Sequence, residues 1–295
     1  MPVSTPLRPL TNTLEQARKL DAPAQTVAKT VRQLLSNHTL KDTISGTSVG
    51  HPVHPPLTDL VIGPLLATSL LDVLATRTGD RAAQLLITVG IAAGTPTALT
   101  GISDWADTEL SDEKVRRLGL VHAVANASAL LIYAASLTAR RRGKRTRGKL
   151  LALTGATLLG GSGYLGGHMS YVRGVGVNQT AFDPGPEEWT PVVDATELRD
   201  RQPYPGEAAD TPVLLVRDGS DIYAIHNRCG HRGCLLSNGE LQGHVVTCAC
   251  HGSQFDIRDG TLLRGPATTS QPAFDTRESD RRVEIRRSPQ AGATR

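Results

Sequence analysis

The residues best suited to chemistry stand close together. Cys229-Gly230-His231 is followed by residues 232–247 and then by Cys248-Ala249-Cys250-His251, so one loop supplies C-x-H and the other C-x-x-H. Cys234 and Cys250 complete the chain's four cysteines, all of them between positions 229 and 250. Four cysteines in 295 residues are too few to build a disulfide scaffold, so their confinement marks a site. Two thiolates and two imidazoles can hold zinc in an ordinary structural site. A zinc finger, however, pairs Cys with Cys and His with His along the chain, whereas each loop here gives one of each. That order suits two irons, one held by thiolates and the other by imidazoles.

A second set of ionisable residues lies in or beside apolar sequence. Four stretches of about 20 residues, Leu57–Thr76, Ala82–Ser103, Leu118–Ala139 and Leu150–Tyr171, are each long enough to cross a hydrocarbon core of about 30 Å. The last three contain no Asp, Glu, Lys or Arg, and a soluble bundle would carry a charged face on each helix. Their glycines, Gly90, Gly94, Gly155 and Gly160 among them, suit close helix approach in lipid. His51 and His54 precede the first span, Asp59 and Asp72 lie within it, and His122 and His168 lie in the third and fourth. Ionisable groups at that depth are costly, so Asp59, Asp72, His122 and His168 are expected to face the bundle interior and pair. Helix-bridging hydrogen bonds, a haem held by facing histidines, and a quinone or proton site all remain open.

These two groups of residues need different elements to position them. Residues 1–50 are polar, without a signal-peptide core, and Val27, Val31, Leu34 and Leu35 trace one stripe of an amphipathic helix. Residues 51–171 hold the four spans, and 172–190 lose periodicity and read as a linker. After it, short runs at 212–217, 221–225, 244–247, 254–257 and 282–285 alternate with turns, giving an all-β domain over 191–288 and a tail at 289–295. The expected fold is therefore multi-domain, an all-α four-helix transmembrane bundle followed by an all-β domain that carries the cysteines.

The second domain resembles the Rieske 2Fe-2S family over roughly Val192 to Arg287, through C-G-H-R-G-C, C-A-C-H-G-S-Q-F-D and R-G-P-A at 264–267. By that resemblance Cys229 and Cys248 hold the buried iron, and His231 and His251 hold the outer iron. Neutral imidazoles make such a cluster easier to reduce than plant-type ferredoxins, within about -150 to +300 mV. The family's respiratory branch also has cysteines matching Cys234 and Cys250, joined there as a disulfide, with two free thiols as the alternative. Ser253 matches a serine that donates to a cluster sulfide, beside Gly252, and Pro266 matches a proline loop over the cluster. Where the respiratory branch has a tyrosine donor, this chain has Phe255. The first domain, from about Thr39 to Val177, resembles a family of uncharacterised four-span membrane proteins through His51-Pro52-Val53-His54-Pro55, Gly101-Ile102-Ser103-Asp104-Trp105, His122 and Gly166-Gly167-His168.

The net charge of +4 excludes little, but seven of 32 basic residues fall in 140–149. A short basic loop between spans reads as a topology signal rather than a nucleic-acid patch. With Arg77 and Arg81 it outweighs Lys41, Lys114, Arg116, Arg117 and Arg173, which places both termini and the β domain outside a multi-pass cell membrane. The function these features imply is a lipid-anchored electron carrier, an oxidoreductase component serving a partner such as a quinone, cytochrome or oxygenase. A ferredoxin-type oxygenase donor and a membrane redox sensor are the alternatives. Only about 40 residues follow His251, which leaves no room for an oxygenase's mononuclear iron domain.

Overall fold

The structure is a computed structural model and describes residues 7–74 and 79–288. The chain forms two compact units, one from residues up to Ser36 with Val53–Val175, the other from Asn37–Pro52 with the residues from Gly176 on.

The first unit is helical: α1 (Arg8–Glu15), α2 (Asp21–Leu34), α4 (His54–Leu74), α5 (Gly79–Thr108), α6 (Glu113–Arg141) and α7 (Arg145–Tyr171), with α3 (His38–Ser45) belonging to the second unit. Among the described residues three helices, α4, α5 and α6, are long and apolar enough to cross a membrane. The expected fourth span, α7, has 27 residues, but its seven glycines dilute its hydropathy below spanning composition. The expected end of the first span, residues 75 and 76, lies outside the described residues, as do Arg77 and the 289–295 tail. Glycines allow the close packing: a Cβ on Gly90 would come within 2.6 Å of Leu65, and one on Gly155 within 2.9 Å of Tyr133. Tyr133, fully buried, donates its hydroxyl to the Leu65 carbonyl at 3.1 Å.

Helix α2 corrects part of the expected stripe. Ala24 and Ala28 are its buried positions, packed with Trp105 and Leu118; Val31 packs partly buried against the same core and Leu35 is half-buried, while Val27 and Leu34 are exposed. The small side chains of Ala24 and Ala28 face α5 and α6, with Val31 at the edge of the contact.

The second unit is built on β1 (Thr190–Asp194), β2 (Tyr204–Ala208), β3 (Thr211–Asp218), β4 (Asp221–His226), β5 (Glu240–Gln242), β6 (Val245–Thr247), β7 (Gln254–Asp256), β8 (Leu262–Arg264), β9 (Ala273–Ser279) and β10 (Arg282–Arg287). A six-stranded antiparallel sheet runs β1-β10-β9-β4-β3-β2 and a smaller one runs β5-β6-β7-β8. Strand β3 is buried on both faces. Leu214 and Val216 point into a core shared with Cys229, Cys248, Phe255 and the smaller sheet, and Val213 and Leu215 into a second core with Phe274, Val283 and Ile285. The continuous apolar run PVLLV is the sequence form of that double burial.

Two boundaries differ from expectation. Residues 37–52 fold with the β unit and not with the polar N-terminal region. The expected linker ends early, because Gln179 N–H donates to the Gly230 carbonyl at 3.0 Å and Asp183 Oδ2 bonds Nε2 of the buried His226 at 3.0 Å. Polar side chains with partners on the β unit, rather than hydrophobic periodicity, order this stretch.

Candidate metal centre

Two loops hold the four Cys and His side chains, and they are turned in the same way. In the first, which follows β4, Cys229 N–H donates to the Cys234 carbonyl and Gly233 N–H donates back to the Cys229 carbonyl, both at 2.8 Å. In the second, between β6 and β7, Cys248 N–H donates to the Ser253 carbonyl at 2.8 Å and Gly252 N–H to the Cys248 carbonyl at 3.0 Å. Gly233 (φ +78°) and Gly252 (φ +80°) close the two turns in the left-handed region that side chains disfavour. The repeated turn buries one cysteine per loop in the core, at 1 % and 2 % exposure, and leaves one histidine per loop half-buried.

The donors converge. The Cys229 and Cys248 thiols hydrogen-bond each other, which pushes the Cys229 thiol up and draws Cys248 down to about 6. The backbone N–H groups of Cys250 and His251 further favour the Cys248 thiolate. The His231 and His251 rings meet edge to face with centroids 5.1 Å apart. Two thiols sharing one hydrogen bond, one of them readily ionised, and two imidazoles carried by the same two loops form a donor set that fits a two-iron cluster. A Cys234–Cys250 disulfide joins the loops.

The chain matches the family model described as the Rieske 2Fe-2S domain over residues 188–275, and the one described as predicted membrane protein (DUF2231) over 50–179. It is 30 % identical over 98 residues to the anthranilate 1,2-dioxygenase ferredoxin subunit of Burkholderia cepacia, covering 33 % of this chain and 91 % of that protein. The chain belongs to the Rieske 2Fe-2S family. The cytochrome b6-f complex iron-sulfur subunit 2 of the Cyanophora paradoxa cyanelle is 32 % identical over 104 residues, 33 % of this chain and 41 % of that protein. Another relative, apoptosis-inducing factor 3 of Mus musculus, is 37 % identical over 79 residues, 27 % of this chain and 13 % of that protein. Among solved structures, the ferredoxin of carbazole 1,9a-dioxygenase from Nocardioides aromaticivorans IC177 aligns at 24 % identity and a TM-score of 0.33, over 35 % of this chain and all of that one. The Rieske match implies a 2Fe-2S cluster, and Rieske relatives of these kinds act in electron transfer.

Several braces around the Rieske loops carry no motif of their own. Arg264 donates to the Gly252 carbonyl at 2.9 and 3.2 Å, Gln271 donates to the Arg228 carbonyl at 3.1 Å, and Asn227 binds Ser237 through backbone and side chain. Ser253 is fully buried, and its Oγ accepts from Ala267 N–H at 3.0 Å, which ties the second loop to the Gly265-Pro266-Ala267 loop. Phe255 is fully buried in the same core as both cysteines. Only long-range pairing makes these roles visible.

The polar residues of the membrane domain separate. Asp72 is buried against Arg140, which also bonds Asp80 at 2.7 Å. Asp59 is exposed, contrary to expectation; it sits five residues into α4, near enough to the helix end for headgroup water. His51 is exposed. His54 Nδ1 is bonded by the Thr97 carbonyl at 3.1 Å, and His122 bonds the Ser162 carbonyl through Nδ1 at 2.9 Å and Asn126 through Nε2 at 3.0 Å. His168 bonds Glu15 of α1 at 3.0 Å. Both His122 nitrogens and one of His168 are thus engaged by protein, and a haem on these histidines is not supported.

Proposed function

We propose that Cys229 and Cys248 hold one iron and His231 and His251 the other, and that the chain is a membrane-anchored carrier of single electrons. The observation that supports this most is the pair of like-turned loops, which bury one thiol each and leave one imidazole each near solvent. Such a centre supplies reversible one-electron chemistry, with exchange on the histidine side. The chain's own groups exclude water from the thiol end, tie the loops through Cys234 and Cys250, and orient Ser253. Because Ser253 Oγ accepts from Ala267, its hydrogen is left to donate toward a cluster sulfide, and Gly252 and Pro266 shape the loops on either side. The membrane domain holds the carrier at the lipid surface, outside the cell by the basic-loop bias, where a disulfide persists. A quinone or cytochrome is the proposed partner.

A second reading, a ferredoxin-type donor to an oxygenase, is favoured by the likeness that covers 91 % of a dioxygenase ferredoxin subunit. Either way the chain is an oxidoreductase component and not a self-contained enzyme. Replacing His231 or His251 by Ser should remove the Rieske EPR signal while the bundle stays inserted, and an unchanged signal would overturn the ligand assignment. Reduction of the purified protein by quinol favours the first partner class; reduction only by a reductase that passes electrons on to an oxygenase favours the second.

A further inference from the structure

Residues 37–52 reach the centre from far away in sequence. Asn37 caps α3 by accepting from Leu40 N–H at 3.0 Å, and Gly46, at φ +88°, ends it. His38, Lys41, Asp42 and Ser45 fall on one face at helical spacing, with Ile44 and Ser45 buried. Thr47, in the turn that follows, donates Oγ1 to the Ala267 carbonyl at 3.0 Å. A Cβ on Gly265 would come within 2.0 Å of Thr47 Oγ1 and 2.8 Å of Asp42 Oδ1, so glycine lets the segment press on the proline loop. A Cβ on Gly252 would lie 3.9 Å from His38 Cε1, which brings α3 to the second cluster loop as well. Lys41, half-buried, stands between His38 and Asp42 on the face that meets the second loop and the proline loop.

We propose that Lys41, carried to the histidine end of the centre by the 37–52 segment, is a positioning residue that sets the reduction potential of the Rieske cluster. Reduction adds one negative charge, and a cation held against the loops at the histidine end stabilises the reduced state more than the oxidised one. Partial burial keeps that charge from full screening by salt. The segment is continuous in sequence with α4, which begins at His54.

The proposal rests on the cluster being held as described above, and that reading fails separately, as a wild-type protein without a Rieske EPR signal. The test is an EPR-monitored redox titration of the full chain in detergent. Lys41→Gln should shift the reduction equilibrium threefold to tenfold toward the oxidised form, about 28 to 59 mV lower for one electron. Lys41→Glu should fall further, Lys41→Arg should titrate with wild type, and Lys29→Gln, on α2, should not move. A Lys41→Gln protein with the wild-type potential overturns the proposal. So does Lys41→Arg falling as far as Lys41→Gln, a Lys29→Gln shift of equal size, or loss of the cluster signal in both Lys41→Gln and Lys41→Arg, since each makes the side chain's role packing or overall charge.

Discussion

Phe255 is the position where one added oxygen atom tests the proposed centre. Its ring is fully buried on β7 in the core that holds Cys229 and Cys248, so a hydroxyl added there has little but the site to bond. Phe255→Tyr should raise the reduction potential, because a donor to a ligand sulfur stabilises the added electron. A hydrogen bond of about 0.5 to 1.5 kcal/mol corresponds to roughly 20 to 65 mV for one electron. The same oxygen overpacks a full core and costs about 1 to 3 kcal/mol of stability. Redox titration and thermal unfolding of one variant therefore move in opposite senses, and an unmoved potential places the ring away from the sulfurs. Cys234→Ser acts on the loops instead of the electronics. Opening a bridge across 16 residues releases about 3 kcal/mol of loop-closure entropy, so bound iron should be lost faster on dilution, with the potential changed little. Equal iron-loss rates in variant and wild type would show that the bridge does not hold the loops.

At the scale of elements, the segment before β1 stakes the β unit through one pair, the buried His226 and the half-buried Asp183. Burial pushes the His226 imidazole below its ordinary value, against the bond from Asp183. Burial alone would raise Asp183, but its bonds from Thr211 and His226 outweigh that and lower it. Both depressed groups act with the same sign. The neutral His226 contributes stability that is present above about pH 6.5 and lost as pH falls through its folded value, and the Asp183 carboxylate behaves likewise below about pH 3.9. The melting temperature of the β unit should therefore fall from pH 7 to pH 5, and His226→Gln should flatten that slope; an unchanged slope assigns the acid sensitivity elsewhere. The same scale separates what the sequence reveals from what it hides. The ligand loops are legible because their donors are local and their spacing is rigid, and the strands β3, β4, β6, β7 and β10 because alternation or apolar runs mark them. Strands β1, β2, β5, β8 and β9 carry Pro, Gly, Gln, Arg or alternating charge, and their pairing partners, not their composition, make them strands. Residues 37–52 are hidden for the same reason, since nothing in NHTLKDTISGTSVGHP announces a contact with Ala267, 220 positions away.

In the bundle, two of the histidines for which bridging hydrogen bonds, a haem and a quinone or proton site all stood open are engaged as bridges. His122 joins α6 to α7 through Ser162, and His168 joins α7 to α1 through Glu15, where Arg173 also binds at 2.7 Å. The purified protein should therefore show Rieske absorption without a Soret band. His122→Ala should leave that spectrum and the electron-transfer rate intact while lowering bundle stability by about 1 to 3 kcal/mol, the cost of orphaned buried partners. A wild-type Soret band that disappears in His122→Ala would restore a haem role. The burial of charged side chains among the described residues bears on the proposed orientation. Arg140 is buried against Asp72 and Asp80, and Arg116 and Arg117 are spent on Glu109, Asp21 and Glu113. What stays exposed in the basic stretch is Arg141, Arg142, Lys144 and Arg147, four cations in and beside the short α6 to α7 connection. Short loops with such an excess are retained in the cytoplasm, so the proposed topology, with α6 and α7 both crossing, would put the start of α6 and the end of α7 on the other side. Protease added to intact spheroplasts should then remove the β unit and leave a bundle-sized fragment. Changing Arg141, Arg142, Lys144 and Arg147 together to Glu or Gln should weaken that protection pattern without touching the Asp72–Arg140 pair. A β unit digested only after lysis would place the Rieske centre in the cytoplasm and its Cys234–Cys250 bridge in a reducing compartment, where cytosolic thiols would open it.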